Sequence, residues 1–129
     1  MLKAFNPKTI APPQGKYQQA IEVPAAARTL YISGQVGVLP DGKIAQGFDA
    51  QADAVWTNLK AILADAGMTF DDLVKVTIIL VDKAHIAPSR DARERNLGTH
   101  RRPASTLLVI PALASPDYLI EIEAVAAKA

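Results

Sequence analysis

The protein has 129 residues, of which 50% are hydrophobic and 21% charged, with 14 Lys and Arg against 13 Asp and Glu. Such a chain is long enough for one ordinary core and too apolar for intrinsic disorder, and its net charge of +1 gives no electrostatic case for wrapping nucleic acid or coating a membrane. With no cysteine, a disulfide framework, a thiolate metal site, a cysteine nucleophile and a thiol redox switch are excluded.

Residues 1–17 (MLKAFNPKTIAPPQGKY) carry no apolar leader core and are broken by Pro7, Pro12 and Pro13. No stretch approaches the roughly 18 apolar residues of a membrane span. A single domain over residues 1–129, in the cytoplasm, is the expectation. Residues 7–16 read as surface turns. Arg28–Ser33 alternates Leu30 and Ile32 with Thr29, Tyr31 and Ser33, a strand pattern closed by Gly34. Pro40-Asp41-Gly42 is a turn signal.

A helix is predicted over about Asp49–Ala66, where Ala52, Val55, Trp56, Leu59, Ile62, Leu63 and Ala66 recur at spacings of three and four. Trp56 is therefore a core residue, and Gly67 stands where a left-handed cap is expected. Asp71-Asp72 read as a turn. Leu73–Val81, rich in β-branched residues, reads as a strand buried on both faces. A charged helix follows over about Pro88–Gly98. Arg90-Asp91-Ala92-Arg93-Glu94-Arg95 reads there as an exposed face with mutually supporting charges. Thr106–Ile110 and Leu119–Ala126 are two further strands, joined by a turn around Ala114-Ser115-Pro116-Asp117. The order of elements predicts an α+β architecture, one sheet with two helices on one face. In the last strand Ile120, Ile122 and Ala124 point one way, and Leu119, Glu121, Glu123 and Val125 the other. Two carboxylates on that second face suit solvent, a subunit interface or a ligand cleft.

Four short motifs in order carry a family resemblance: Gly15-Lys16-Tyr17, Ile32-Ser33-Gly34-Gln35, Asn58-Leu59-Lys60-Ala61-Ile62-Leu63 with Ala66-Gly67, and Pro103-Ala104 with Leu119-Ile120-Glu121-Ile122-Glu123-Ala124-Val125-Ala126. Together they resemble the Rid/YjgF family, also called endoribonuclease L-PSP-like, over nearly the whole chain. The resemblance implies a chorismate-mutase-like fold assembled as a homotrimer, with a central barrel and three clefts between subunits. It also implies hydrolysis of reactive enamines and imines to keto acids and ammonia. By the same resemblance Glu121 is the catalytic, water-positioning glutamate. Tyr17, Ser33 and Gly34 shape the cleft. The family arginine that pairs with a substrate carboxylate has no counterpart. Where the family reads Pro-Ala-Arg-Ser, this chain reads Pro103-Ala104-Ser105-Thr106. Losing a bidentate charge-assisted contact of roughly 1.5–3 kcal/mol argues for an altered substrate range.

Each candidate also has a plain reading. Glu121 can be a solvated or ion-paired carboxylate, and Tyr17 an ordinary loop aromatic. Ser33-Gly34 can be a strand end, and Ser105-Thr106 strand filling rather than hydroxyls that hold a ligand or water. His100, Arg101 and Arg102 form either a solvated loop or a substitute anion site. With His85 and His100 the only histidines, and no phosphate loop, Gly-x-Ser-x-Gly elbow or His-Glu-x-x-His pair, no metal or cofactor is expected. Two functions stay open: an enamine or imine deaminase, and a non-catalytic trimer that binds a metabolite such as an imine, enamine or keto acid. A ribonuclease lacks the basic strip with interleaved aromatics that single-stranded RNA requires, so no nucleic-acid or membrane partner is expected.

Overall fold

A computed structural model describes residues 1–129. The elements are β1 (Lys3–Phe5), β2 (Ala20–Glu22), β3 (Arg28–Val36), α1 (Phe48–Asp65), β4 (Leu73–Leu80), α2 (Ile86–Leu97), β5 (Ala104–Val109) and β6 (Ile120–Lys128). Four strands form a mixed sheet in the order β3-β6-β4-β5, with β4 and β5 parallel across the α2 crossover and the other pairs antiparallel. The α+β architecture is the one the sequence predicts. No helix is long and apolar enough to cross a membrane.

Two local expectations are corrected, the closing of β3 at Gly34 and the burial of β4 on both faces, and two features are added. A separate ribbon, β1 paired antiparallel with β2, accompanies the main sheet. Its strands of three residues each are too short to show a period. β3 runs through Gly34 to Val36 instead of closing there, because a bulge between Ile32 and Gln35 absorbs Ser33-Gly34 and pairing with β6 resumes. β5 and β6 follow one another in sequence but are not neighbours, since β4 lies between them. β4 is not buried on both faces. Leu73, Val76, Ile78 and Leu80 are buried, whereas Lys75, Thr77 and Ile79 are only half-buried.

This alternation organises the molecule. The buried face of the sheet, Ile32, Val76, Ile78, Leu80, Ile120, Ile122, Ala124 and Ala126, packs with Ala52, Val55, Trp56, Leu59 and Leu63 of α1 in one core that also takes Ala92 and Leu97 of α2. The predicted stripe of α1 is thus the buried one, and Trp56 is 1% exposed. The helix ends before Gly67, which adopts φ +72°. The carbonyls of Ala66 and Gly67 accept hydrogen bonds from Arg28 and Lys128 at the end of the β3–β6 pair. Asp71-Asp72 form a 3-10 turn with Phe70, capped by Thr69 in a reciprocal capping box. The other sheet face has no helix. It carries Lys75, Thr77 and Ile79 of β4, in register with Val125, Glu123 and Glu121 of β6. Thr106 and Leu108 of β5 and Tyr31 of β3 extend it.

A buried amide sets the start of β6. Gln51, 3% exposed, donates from Nε2 to the Asp117 carbonyl and accepts at Oε1 from the Leu119 N–H, both at 2.9 Å. The residue after β3 must come close for this. A Cβ built on Gly37 would lie 2.6 Å from Gln51 Cβ, so only glycine fits. Gln51→Leu would leave two inward-facing backbone groups without partners. It is expected to lower the unfolding free energy by about 2 kcal/mol or more, read as a shifted midpoint in urea, with an unchanged midpoint refuting the clamp.

Candidate active site

The sheet sorts the candidate residues onto two faces. Ser105 pairs with Val76 and Leu107 with Ile78, so both point to the helix side, while Thr106 pairs with Thr77 on the open side. Glu121 pairs with Ile79, also on the open side. Period-2 alternation thus separates Ser105 from its neighbour Thr106 and from Glu121.

On the open side, Glu121 lies against the β3 bulge. A Cβ built on Gly34 would overlap Glu121 Oε2 and sit 2.7 Å from its Cδ and 2.9 Å from its Cγ. Gly34 is therefore the seat of this carboxylate, which explains why a glycine occupies the middle of a strand. Ser33, exposed beside it, contributes its carbonyl to the Gln35 amide. Thr106 accepts a hydrogen bond from Lys75 Nζ, which holds that ammonium along the same face. Glu123 is exposed.

On the helix side, a cavity of about 200 Å³ lies at the sheet edge, lined by Tyr17, Ser105, Leu107, Ser89, Arg90 and Arg93 among others. The loop before β2 brings Tyr17 there. Gln18 N–H donates to the Pro103 carbonyl at 3.1 Å, and the Tyr17 hydroxyl accepts from the Gln14 N–H at 3.2 Å. Tyr17 and Ser105 are thus brought together, but Glu121 and Gly34 are not part of this cavity in one chain. A larger and shallower groove, about 870 Å³, runs between the 39–47 loop and the 116–119 turn and contains none of the candidate residues. Size alone does not make it the site. No group of three or more His, Asp or Glu side chains converges anywhere that could hold a metal ion.

Arg93 is the residue that the sequence reading misplaced. It is not on an exposed face. Ser89, Ala92, Arg93 and Leu97 form the buried stripe of α2, with Arg93 7% exposed. The signal was present, since Arg93 stands four residues from both Ser89 and Leu97, but a run of charges masked it. Its Nε donates to Glu94 Oε2 at 3.0 Å. Arg102 Nη2 donates to Glu94 Oε1 at 3.0 Å, and Lys16 Nζ lies 3.6 Å from the same oxygen. One carboxylate thus ties α2 to the loop before β5 and to the Tyr17 loop. Partial burial works to raise the Glu94 carboxyl, but hydrogen bonds from Arg102 and Arg93 and their charges outweigh it and hold it below its ordinary range.

The His100-Arg101-Arg102 cluster is not a solvated loop: most of its donors are engaged within the chain, while Arg101 Nη2 and Arg102 Nε are buried without a partner. Arg102 also donates to the His100 and Gly98 carbonyls at 2.6 and 2.8 Å, and Arg101 donates to the Leu2 carbonyl. His100 Nδ1 lies 3.1 Å from Asp71 Oδ1. The Arg101 N–H bond to Asp71 is the largest influence on that carboxyl. With help from His100 it overcomes the opposing effect of burial and holds the carboxyl below its ordinary range.

An α+β sheet with an edge cavity and a seated carboxylate on its open face is a fold that comparison with known proteins places directly. The Endoribonuclease L-PSP family model matches residues 8–128. The chain belongs to this family, the Rid/YjgF family of small α+β proteins. It is 36% identical over 118 residues to the RutC family protein PYRAB12510 of Pyrococcus abyssi, covering 90% of this chain and 89% of that one. A RutC family protein of Aquifex aeolicus is 44% identical over 71 residues, a match that spans 54% of each chain. The 2-iminobutanoate/2-iminopropanoate deaminase of Mus musculus is 41% identical over 70 residues, 53% of this chain and 50% of its own length. Among solved structures, the Rid-family protein YyfB of Yersinia pestis, of unknown function, superposes with a TM-score of 0.89 at 32% identity and 98% coverage of both chains.

The Glu94 junction has a pH signature. Because the folded-state carboxyl lies below the unfolded value of about 4.3, its stabilisation is fully present above that value and is lost as pH falls through the folded pKa. Glu94→Gln is expected to melt at a lower temperature than wild type at pH 7, with the gap closing toward pH 3. A gap independent of pH would show that the charge contributes nothing.

Proposed function

We propose that residues 1–129 act as one Rid-type hydrolytic deaminase domain for small imines or enamines, working as a homotrimer whose clefts lie between copies. The observation that carries this reading is Glu121, the family's water-positioning position, seated over Gly34 on the open sheet face. The mouse relative named as an imine deaminase supports the reaction class over the half of the chain it matches. In the reaction, Glu121 orients a water and takes its proton as the oxygen attacks the imine carbon. The C=N π electrons move to nitrogen, which gains a proton. Collapse of the carbinolamine breaks the C–N bond and releases ammonia and a carbonyl compound. An enamine first tautomerises to the imine.

Assembly is part of this proposal because one chain keeps Tyr17 and Ser105 on the helix side and Glu121 on the open side. A cleft that uses both sets takes them from two copies. The uncovered face supplies a surface for association, with Tyr31 79% and Leu108 47% exposed, and β5 is an edge strand bridged only at its start, by Gln18. The same separation, together with Ser105 in place of the family arginine, favours one second reading: a trimer that binds a metabolite without turning it over.

Two experiments test this. Wild type is expected to release ammonia from 2-iminopropanoate generated in situ above the buffer rate, and Glu121→Gln to lose about 100-fold or more while remaining folded. An inert wild type that still binds the keto acid would establish the second reading instead. Light scattering after size exclusion is expected to give about three chain masses, and Leu108→Glu to shift the protein toward monomer. A monomeric wild type would remove the shared clefts.

A further inference from the structure

We infer that the edge cavity is an anion site built on Arg93 of α2, and that it holds the carboxylate of a small ligand. The inference deepens the proposed function by naming the group that Arg93 recognises; it rests on that reading only for treating this cavity as the ligand's place.

The first observation is an unfinished ion pair. Arg93 is buried, and its only side-chain hydrogen bond in the chain is from Nε to Glu94. Its two terminal nitrogens have no partner in the protein, whereas Arg102 uses both of its own on carbonyls and Glu94. Glu94 in turn divides one negative charge among Arg93, Arg102 and Lys16. Arg90, exposed at the rim, adds another positive charge. The cavity therefore carries a local positive excess in a chain of nearly zero net charge. A guanidinium that shares its counter-charge and turns unpartnered terminal donors toward a cavity favours an incoming anion.

The second observation is the lining. A Cβ built on Gly15 would lie 3.7 Å from the Tyr17 ring and 3.8 Å from Arg93 Nη2, so the loop, the tyrosine and the guanidinium meet at one point. Ser105 and Ser89 line the same space, and Ile78 and Leu107 supply an apolar floor. This is one charged fork, hydroxyl groups and a small apolar surface, the composition of a site for a short carboxylate with an alkyl tail. The volume of about 200 Å³ is below the roughly 300–1,000 Å³ of sites for drug-sized molecules.

The third observation explains Ser105. An arginine at that position would point into the same small cavity as Arg93, placing two guanidinium groups side by side there. Serine at 105 and arginine at 93 are complementary: the site keeps one buried fork, delivered by the helix instead of the strand.

The test uses 2-oxobutanoate and inorganic phosphate as separate probes in calorimetry, and amide NMR of the labelled protein. 2-Oxobutanoate is expected to bind and to shift the Gly15, Tyr17 and Ser105 amides. Arg93→Met is expected to weaken it about tenfold or more, Arg93→Lys less, and adding Ser105→Arg to Arg93→Met to restore it. Shifts confined to the 39–47 groove, no binding, or tighter binding of phosphate than of the keto acid would overturn the carboxylate site. If Arg93→Met does not fold, the wild-type shift map and a weakened Arg90→Gln decide in its place. Ammonia release by a folded Arg93→Met at the wild-type rate and KM would overturn this inference and leave the deaminase standing. Binding that depends on Arg93 without any turnover would do the reverse.

Discussion

The pleat of the four-stranded sheet is the constraint on which everything else rests. Only one of its faces is closed, by α1 and α2, and successive residues of each strand must choose between that core and the open side. β6 obeys this from Ile120 to Ala126, with Ile120, Ile122 and Ala124 buried while Glu123 stands in solvent and Glu121 lies half-covered beside Gly34. The same rule sends Ser105 toward α2 and Thr106 away from it. The chemistry of the chain is therefore divided between two surfaces before any ligand is considered, and our proposal of shared clefts is the direct consequence.

Glu94 and Gln51 hold the parts that the core does not. Gln51 joins α1 to the turn before β6, and Gly37 leaves room for it. Glu94 joins α2 to the loop before β5 and, through Lys16, to the loop that carries Tyr17. Each is a polar group with several partners, placed where loops would otherwise have no fixed path. The Glu94 junction holds the loop and the helix that wall the edge cavity, whereas Gln51 lines the larger groove.

By resemblance, the chain departs from its family's pattern at position 105. The resemblance implies an arginine on the strand after Pro-Ala, and here that position is Ser105. Position 93 instead carries a buried arginine whose fork has spare donors. Arg93 is the cation on which our inference of a carboxylate site rests. The basic segment 100–102, the other candidate anion site, spends most of its donors on the Leu2, Gly98 and His100 carbonyls and on Asp71 and Glu94, leaving Arg101 Nη2 and Arg102 Nε unpaired.

The sequence by itself determined the helices, the long strands and the family. Those features are local: a stripe at spacings of three and four in α1, alternation in β6, Gly67 after the helix, and short motifs in fixed order. It also marked Glu121, Tyr17 and Ser105 as candidates, by resemblance, without showing which of them meet. Only the tertiary structure decided that β4 separates β5 from β6, that Gly34 bulges under Glu121, and that Arg93 turns inward. Each of these depends on which distant segment supplies the neighbour. A charge run on a helix reads as solvated until a Tyr17 loop some 76 positions upstream and a strand edge close over one member of it. Burial is a property of the packed assembly of elements, so Arg93 was concealed by its own neighbours in sequence.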